Sequence, residues 1–324
     1  MTAKRILSGM RPTGKLHIGH YVGALENWVE LQKEYQNFHL IADYHVLTTD
    51  LDTSRMLDNT IDMVKDWLAA GIDPEKSPVF RQSRVKAHAE LYLLFSMLVT
   101  KERLERNPSL KEQIRDLELP AVVYGHLGYP VLQAADILLY RANAVPVGED
   151  QSSHVEISRE IARKFNKTYR EVFPEPRTKL TRFPRLPGLD GKAKMSKSLG
   201  NTIFLSDEPE AIWQAVRKAV TDPQKIYRND PGRPDICTIF TYHTVFNAEE
   251  TAEIRRDCES GALGCVNCKK NCAAKIADYF LPHREKRSSL SDDMVMDILH
   301  EGEKRARKEA AATMELVHDA MKLG

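Results

Sequence analysis

Strands and helices alternate over the first 82 residues of the chain, and this alternation constrains the fold more than any other feature. Short apolar runs predict three buried strands, at residues 4–10, 37–43 and 77–82. Between them, apolar residues recur at helical spacing over residues 19–34 and over a second helix, capped by Asp52 or Thr53 and ended by Gly71. This β-α-β-α-β order predicts a parallel sheet that binds ligands at the carboxyl ends of its strands.

The rest of the chain changes character near Ser206. Before that residue the pattern predicts helices at 87–100, 107–117, 129–141 and 150–165, a strand at 144–148 and a long loop at 174–200. After residues 201–207 the pattern is helical to the end. We therefore predict an α/β domain over residues 1–206 and an α-helical domain over residues 207–324, with the last helices able to pack back on the first domain.

Composition excludes several classes of protein. Of the 324 residues, 42% are hydrophobic and 29% are charged, which is ordinary for a globular protein. The formal net charge of +1 excludes a uniformly basic nucleic-acid coat. No apolar run reaches the roughly 18 residues of a membrane span, and the first residues lack the apolar core of a signal peptide. We therefore expect a cytoplasmic protein that does not insert into a membrane.

Two histidines flank a glycine where the first strand gives way to a helix, in the sequence His17-Ile18-Gly19-His20. A helix that begins here presents unpaired backbone N–H groups and the positive end of its dipole to whatever lies in front of it. Gly19 lets the backbone approach a ligand, and both imidazoles can donate hydrogen bonds to phosphate oxygens. Taken alone, however, the pattern favours capping and packing, or a chance pair of metal ligands.

A second group of phosphate-binding residue types lies in the predicted long loop, in the sequence Lys194-Met195-Ser196-Lys197-Ser198. Two ammonium groups on a loop can close over a polyphosphate and neutralise the charge that develops there. Alone, this sequence also fits a solvated surface loop. Together with the histidine motif, it resembles the double signature of class I aminoacyl-tRNA synthetases.

Within that class, four segments resemble the tryptophanyl-tRNA synthetases: SGMRPTGKLHIGHYVGALENWVELQ, AADILLY, PVGEDQ and KMSKS, in the order of that family. The resemblance covers nearly the whole chain and implies a Rossmann-type catalytic domain, an α-helical anticodon-binding domain and a homodimer. It also implies an activity. L-tryptophan and ATP, with Mg²⁺, form tryptophanyl-adenylate and pyrophosphate, and the adenylate then acylates tRNA(Trp).

By this resemblance, residues from several segments serve ATP. His17, Gly19 and His20 are expected at the phosphates and ribose, and Lys194 and Lys197 at the pyrophosphate leaving group. These five are the expected catalytic residues. The wider ATP site is expected to include Arg11, Pro12, Thr13, Lys111, Gly148, Glu149, Asp150, Leu186, Met195, Ser196 and Ser198.

The expected tryptophan site centres on Asp136. The indole N–H is only a donor, so its pocket needs a buried acceptor, and Asp136 lies in an apolar helix where an unpaired carboxylate is costly. A helix charge or a salt bridge is the alternative interpretation. The resemblance places Tyr129 and Gln151 at the amino acid's ammonium and carboxylate groups. The other pocket residues expected are Gln133, His45, Leu7, Gly9, Val145 and Val147.

Three alternatives stay open at this point. Tyrosyl-tRNA synthetases also carry the L-Q-A-x-D pattern around Gln133 and Asp136, although the GEDQ segment and the opening segment favour the tryptophanyl branch. A nucleotidyltransferase with the same histidine motif would lack the helical tRNA-reading domain. A non-catalytic RNA-binding paralogue of a synthetase would have no need to keep both phosphate motifs.

All five cysteines lie between residues 237 and 272, which points to a metal more than to disulfides in a cytosolic protein. Cys237, Cys258, Cys265 and Cys268 follow a C-x20-C-x6-C-x2-C spacing, and four thiolates suit either structural zinc or an iron–sulfur cluster. A subgroup of tryptophanyl-tRNA synthetases has nearly this pattern and binds a [4Fe-4S] cluster. The resemblance therefore implies that cluster here, with zinc as the alternative and Cys272 as a spare thiol.

Overall fold

A parallel five-stranded sheet lies at the centre of the fold. The computed structural model describes residues 4–116, 121–147, 152–180, 186–192 and 195–323. The strands are β1 (Arg5–Met10), β2 (Gln36–Ile41), β3 (Val79–Arg81), β4 (Ala144–Val147) and β5 (Arg177–Leu180). Their order is β3-β2-β1-β4-β5, and every described pairing is parallel. The predicted Rossmann-type α/β fold is confirmed.

Helices surround the sheet and make up the later part of the chain. The first helical stretch consists of α1 (Ile18–His20), a π-helical turn (Tyr21–Leu25) and α2 (Glu26–Leu31). The next helices are α3 (Asp43–Val46), α4 (Met56–Ala70), α5 (Ala87–Ser96), α6 (Lys101–Glu105), α7 (Pro108–Asp116), α8 (Tyr124–Leu139) and α9 (Ser152–Thr168). The last are α10 (Pro209–Val216), α11 (Thr238–Phe246), α12 (Thr251–Glu259), α13 (Cys265–Tyr279), α14 (Leu281–Ser288) and α15 (Asp292–Met321). No described helix is long and apolar enough to cross a membrane.

Three of the differences from the sequence prediction have a clear physical cause. Strand β5 lies inside the predicted loop at 174–200. The sequence does not predict this strand, because Arg177 and Thr178 are exposed and give no apolar run. Helix α4 begins after Arg55 rather than after Asp52 or Thr53, because the Asp52 carboxylate instead accepts a hydrogen bond from the Ser54 N–H at 2.9 Å. Helix α8 begins five residues earlier than predicted, because Pro130, a residue type that favours the first turn of a helix, lies in its interior here.

The chain divides into two compact units. Unit 1 consists of Met1–Gly14, Asn27–Arg182 and Ser291–Gly324, and unit 2 of Lys15–Glu26 and Phe183–Leu290. Unit 1 contains the sheet and α15, and unit 2 contains α10 to α14. The predicted functional domains, 1–206 and 207–324, stay a prediction.

The last helix, α15, packs against β3 and against helices α4, α5 and α8 of unit 1. Gly302 sits closest to the strand, because a methyl group at its position would lie 2.0 Å from the carbonyl oxygen of Val79. Next to it, the Glu303 carboxylate receives a charged hydrogen bond of 2.6 Å from Nε of Arg81, and both side chains are buried. A glycine contact between backbones and a buried ion pair therefore fix α15 on the sheet.

Candidate active site

A cavity of about 310 Å³ opens in unit 1 where β1 ends. The end of β1 supplies one wall, and α3 and α8 supply side chains that face it. Its lining residues are Leu7, Ser8, Gly9, Met10, Arg11, Leu40, Ala42, His45, Thr48, Tyr129, Gln133, Asp136, Ile137, Val145 and Pro146. A cavity at the carboxyl ends of parallel strands is where this kind of sheet binds ligands.

Most of the expected tryptophan-site residues meet in this cavity. Its lining includes Leu7, Gly9, His45, Tyr129, Gln133, Asp136 and Val145. Gln151 and the side chain of Val147 lie outside the described residues. Arg11, expected at ATP, also lines this cavity and donates from Nη2 to the hydroxyl of Thr49. Within the described parts of the chain, Nε of Arg11 is buried without a hydrogen-bond partner.

The carboxylate of Asp136 is buried and receives three hydrogen-bond donors. Nε2 of His45 lies 3.0 Å from Oδ2, and Nδ1 of His88 lies 2.7 Å from Oδ1. The amide nitrogen of Gln82 donates to both oxygens, at 2.7 and 2.9 Å. Asp136 also lines the cavity, and an ionised carboxylate only accepts hydrogen bonds, so the group it offers to a ligand there is an acceptor.

This arrangement keeps Asp136 ionised. Burial acts to raise the pKa of its carboxyl group, but the interactions with His45 and His88 outweigh burial and hold the pKa below its usual range. The site therefore contains a charged acceptor with no proton of its own to donate.

Three residues of this network were missed by the sequence analysis: Gln82, His88 and Tyr140. The hydroxyl of Tyr140 lies 2.9 Å from Nε2 of His88, behind the carboxylate. A signal for Gln82 existed, because it directly follows β3 at the carboxyl edge of the sheet. His88 has no such signal, since its contact with Asp136 spans 48 residues of sequence.

The two phosphate motifs meet in unit 2. The backbone N–H of His17 donates to Nδ1 of His20 at 3.1 Å, and the two rings lie 3.7 Å apart. A methyl group on Gly19 would lie 2.9 Å from Nδ1 of His17 and 3.4 Å from the sulfur of Met195. Only glycine therefore fits where the two motifs touch. Because Nδ1 of His20 is an acceptor, its Nε2 carries the proton and is the donor.

Both histidines are neutral near pH 7. Burial and the positive charge of Lys197 lower the pKa of His17 to about 4. Burial, His17 and Lys197 lower the pKa of His20 to about 3. Among the described side chains of the two motifs, the positive charge therefore comes from Lys197 and not from the imidazoles.

The other expected ATP residues are scattered or not described. Pro12 and Leu186 are buried, Thr13 is exposed, and the backbone N–H of Ser196 donates to Asn201 at 2.8 Å. Lys111 is exposed on α7. The expected ATP residues that lie outside the described parts of the chain are Gly148, Glu149, Asp150, Lys194 and the side chain of Ser198.

The cysteines gather in unit 2 as free thiols. Burial raises the pKa of Cys268 to about 12, and the neighbouring Cys237, Cys258 and Cys265 raise it further. Burial also raises the pKa of the fully buried Cys272. Within the residues described, no group of three or more His, Cys, Asp and Glu side chains is placed so as to hold a metal ion. The metal site therefore stays a prediction.

Comparison with known proteins agrees with this geometry. The family model described as "tRNA synthetases class I (W and Y)" matches residues 2–280. The chain is 51% identical to the tryptophan–tRNA ligase of Thermotoga maritima, over 98% of this chain and 99% of the relative. It is 42% identical to that of Aquifex aeolicus, over 98% of this chain and 100% of the relative.

A solved structure is similar over the same length. The tryptophanyl-tRNA synthetase from Campylobacter jejuni, complexed with ADP and tryptophan, has a TM-score of 0.89 and 35% identity, covering 98% of this chain and 99% of that chain. The family model, the full-length relatives and the similar solved structure therefore all point to the same family. The chain belongs to the class I tRNA synthetases of the tryptophan and tyrosine family and, within it, to the tryptophan–tRNA ligases.

Proposed function

We propose that this enzyme activates L-tryptophan with ATP and Mg²⁺ and then transfers it to tRNA(Trp). In the first step a carboxylate oxygen of tryptophan attacks the α-phosphorus of ATP, and pyrophosphate leaves with the electrons of the bond that breaks. In the second step a ribose hydroxyl at the 3′ end of the tRNA displaces AMP. Both steps depend on positioning and charge stabilisation.

The observation that carries this proposal is the ionised carboxylate of Asp136, which lines the cavity. Because it is ionised, it can accept a hydrogen bond from a donor on a ligand and can donate none. The indole N–H is such a donor. Leu7, Ile137 and Val145 supply apolar cavity walls against which the indole ring packs.

The polar end of the amino acid is assigned to the other part of the cavity. Tyr129 and Asp136 lie seven residues apart on α8, which is about 10 Å along the helix axis. We assign Tyr129 and Gln151 to the ammonium and carboxylate groups, with Gln133 between them. A substrate with its ring donor at Asp136 then directs its reactive carboxylate away from the buried network.

Phosphate binding is assigned to the two motifs of unit 2. Nε2 of neutral His20 is a donor, and Lys197 supplies positive charge beside it. We assign His17, Gly19 and His20 to the phosphates and ribose, and Lys194 and Lys197 to the pyrophosphate leaving group. The remaining ATP contacts are assigned to Arg11, Pro12, Thr13, Lys111, Gly148, Glu149, Asp150, Leu186, Met195, Ser196 and Ser198.

Amino-acid-dependent exchange of pyrophosphate into ATP tests the activity. We expect exchange with tryptophan at rates far above those with tyrosine, and charging of tRNA(Trp) in the same preparation. Exchange that proceeds with tyrosine and ignores tryptophan would instead make the chain a tyrosyl-tRNA synthetase. A protein without exchange for either amino acid, but with tRNA binding, would be a non-catalytic paralogue.

We also propose a cytoplasmic homodimer with the functional domains 1–206 and 207–324. Exposed apolar side chains at the end of α5 and the start of α8 support the dimer: Leu93, Met97, Val122, Val123 and Tyr124. Light scattering should give twice the chain mass, and Met97→Glu should reduce it to one chain. Leu57→Glu, at another exposed apolar site on α4, is the matched control and should stay dimeric.

Finally, we propose that Cys237, Cys258, Cys265 and Cys268 hold one [4Fe-4S] cluster. The donor set fits, because four mutually interacting thiols are the ligands that such a cluster takes. Bound to the protein, the cluster would serve structure or tRNA placement.

Metal analysis of anaerobically purified protein tests the cluster. We expect about four irons and four sulfides per chain, as four thiolate ligands imply. Cys265→Ser should lower this content, and Cys272→Ser should not. One zinc per chain without sulfide would replace the cluster by a Cys₄ zinc site.

A further inference from the structure

His88 is a buried histidine that the proposed reaction does not use. It lies in the first turns of α5, fully shielded from solvent, and does not line the cavity. Its two ring nitrogens are both engaged. Nδ1 lies 2.7 Å from Oδ1 of Asp136, and Nε2 lies 2.9 Å from the hydroxyl of Tyr140.

The direction of these hydrogen bonds follows from their chemistry. An ionised carboxylate only accepts, so Nδ1 of His88 must carry the proton that it donates to Asp136. In the neutral ring Nε2 then has a lone pair, and the hydroxyl of Tyr140 donates to it. Burial raises the pKa of Tyr140 well above its usual value, so the phenol keeps its proton. The chain runs from Tyr140 through His88 to Asp136.

The other two donors are fixed in the same way. The side-chain oxygen of Gln82 accepts from the backbone N–H of Tyr44 at 3.1 Å, so its amide nitrogen faces the carboxylate. Nε2 of His45 donates to the second oxygen. Among the described residues, the titratable groups that face Asp136 are His45 from α3, His88 from α5 and Tyr140 from the end of its own helix.

We propose that His88, supported by Tyr140, is a positioning residue that keeps Asp136 ionised and oriented, so that the cavity selects amino acids with a hydrogen-bond donor on the ring. The inference rests on the proposed tryptophan site. It adds a residue that touches no substrate but sets the protonation state of the group that does. Without the Nδ1 proton of His88, one of the interactions that lower the pKa of Asp136 is lost, so its carboxyl group binds a proton more readily, which turns a pure acceptor into a donor.

A ligand pair isolates this effect. L-3-Benzothienylalanine is tryptophan with sulfur in place of the ring N–H, so the ratio of the two dissociation constants reports the bond to Asp136. Calorimetry without ATP should give wild-type protein a preference for tryptophan of about 10-fold or more, the usual value for a hydrogen bond to a charged group. Because both ligands share the same amino and carboxyl groups, their own ionisation cancels, and the ratio should not change between pH 6 and pH 8.

The variants separate positioning from general stability. In His88→Leu the preference for tryptophan should be several-fold lower at pH 6. The preference should return as pH rises, because Asp136 in this variant ionises only above its raised pKa. His88→Asn places an amide N–H where Nδ1 was, and should keep the wild-type ratio at every pH. Tyr140→Phe removes only the outer donor and should show a smaller loss with the same pH trend.

The following outcomes would contradict the role proposed for His88. An unchanged ratio in His88→Leu at all pH values would show that Asp136 needs no support from His88. Equal losses in His88→Leu and His88→Asn, without pH dependence, would mean that the histidine only fills space. If His88→Leu does not fold, Tyr140→Phe decides by the same criteria. A wild-type ratio of one would remove Asp136 from the tryptophan site, whereas the exchange assay would still judge the proposed function by itself.

Discussion

Replacing Gly302 by alanine should force α15 away from β3 and weaken the packing between them. A methyl group at this position would lie 2.0 Å from the carbonyl oxygen, 2.8 Å from the carbonyl carbon and 3.0 Å from the nitrogen of Val79. All three are backbone atoms of β3, so no side-chain rotation relieves the clash. The helix must move by about 1 Å before the nearest contact reaches the 3.0 Å lower limit of real Cβ contacts.

Two costs and one gain contribute to the expected change in the free energy of unfolding. Overpacking of a close contact costs about 1–3 kcal/mol. The same shift stretches the buried Arg81–Glu303 bond from its present 2.6 Å, and breaking a buried pair outright costs about 3–5 kcal/mol. Alanine in place of glycine in a helix returns about 1 kcal/mol. We therefore expect the free energy of unfolding of unit 1 to fall by about 2–4 kcal/mol.

Hydrogen exchange of the β3 amides, read by mass spectrometry at increasing urea, measures the stability of unit 1 separately from that of unit 2. Gly125→Ala is the matched control, because Gly125 lies in helix α8 of the same unit and, among the described residues, nothing outside its own stretch of helix lies within 4 Å of the added methyl group. It should be neutral or stabilising by up to about 1 kcal/mol. If Gly302→Ala behaved like this control, the close approach of α15 to β3 would be wrong.

Four further predictions concern single residues. Ser291→Ala removes the cap of α15, whose hydroxyl accepts from the backbone N–H of Met294 at 3.2 Å, and should cost about 1 kcal/mol in urea denaturation, with no loss contradicting the cap. His17, with a pKa of about 4 against about 6.5 in the unfolded chain, stabilises the fold fully above pH 6.5 and loses that contribution as pH falls towards 4. Its NMR signals should accordingly report a neutral ring at pH 5.5, and a midpoint above 6 would refute the burial. Lys197→Ala should lower kcat of adenylate formation far more than it weakens tryptophan binding, since its contact to pyrophosphate develops in the transition state; equal effects on both would indicate a structural loop. Asp136→Asn should weaken tryptophan binding by about 1–3 kcal/mol in calorimetry, and unchanged affinity would contradict the pocket assignment.

The sheet was predictable where its strands are buried on both faces. Strands β1 to β4 give apolar runs, because helices cover them and only apolar side chains fit there. Strand β5 pairs on one side with β4, and its exposed arginine and threonine give no such run. Exposure of an edge strand therefore removed the pattern on which the prediction depends.

Only those site residues that are unusual in their own stretch of sequence could be predicted from it. Asp136 stands out because a carboxylate in an apolar helix needs a buried partner. Two of its partners do not stand out, since Gln82 and His88 are 54 and 48 residues away and look like ordinary polar residues in the sequence. The third, His45, is 91 residues away and was expected only through the family resemblance. Tyr140 is one helical turn from Asp136, but it acts through His88, so its role depends on a contact that spacing alone does not reveal.

The place of α15 in the chain has a consequence for synthesis on the ribosome. The five strands of unit 1 are complete once Leu180 has been made, but α15 begins about 110 residues later, at Asp292. At translation rates of about 5–20 residues per second, the surface of β3 that α15 covers stays open for roughly 5–20 s in every nascent chain. Val79 and Phe80, which the finished protein shields completely from water, are then accessible to chaperones. We expect ribosome-bound chains that end before residue 292 to bind holdase chaperones through this strand, and chains that have exposed all of α15 to release them.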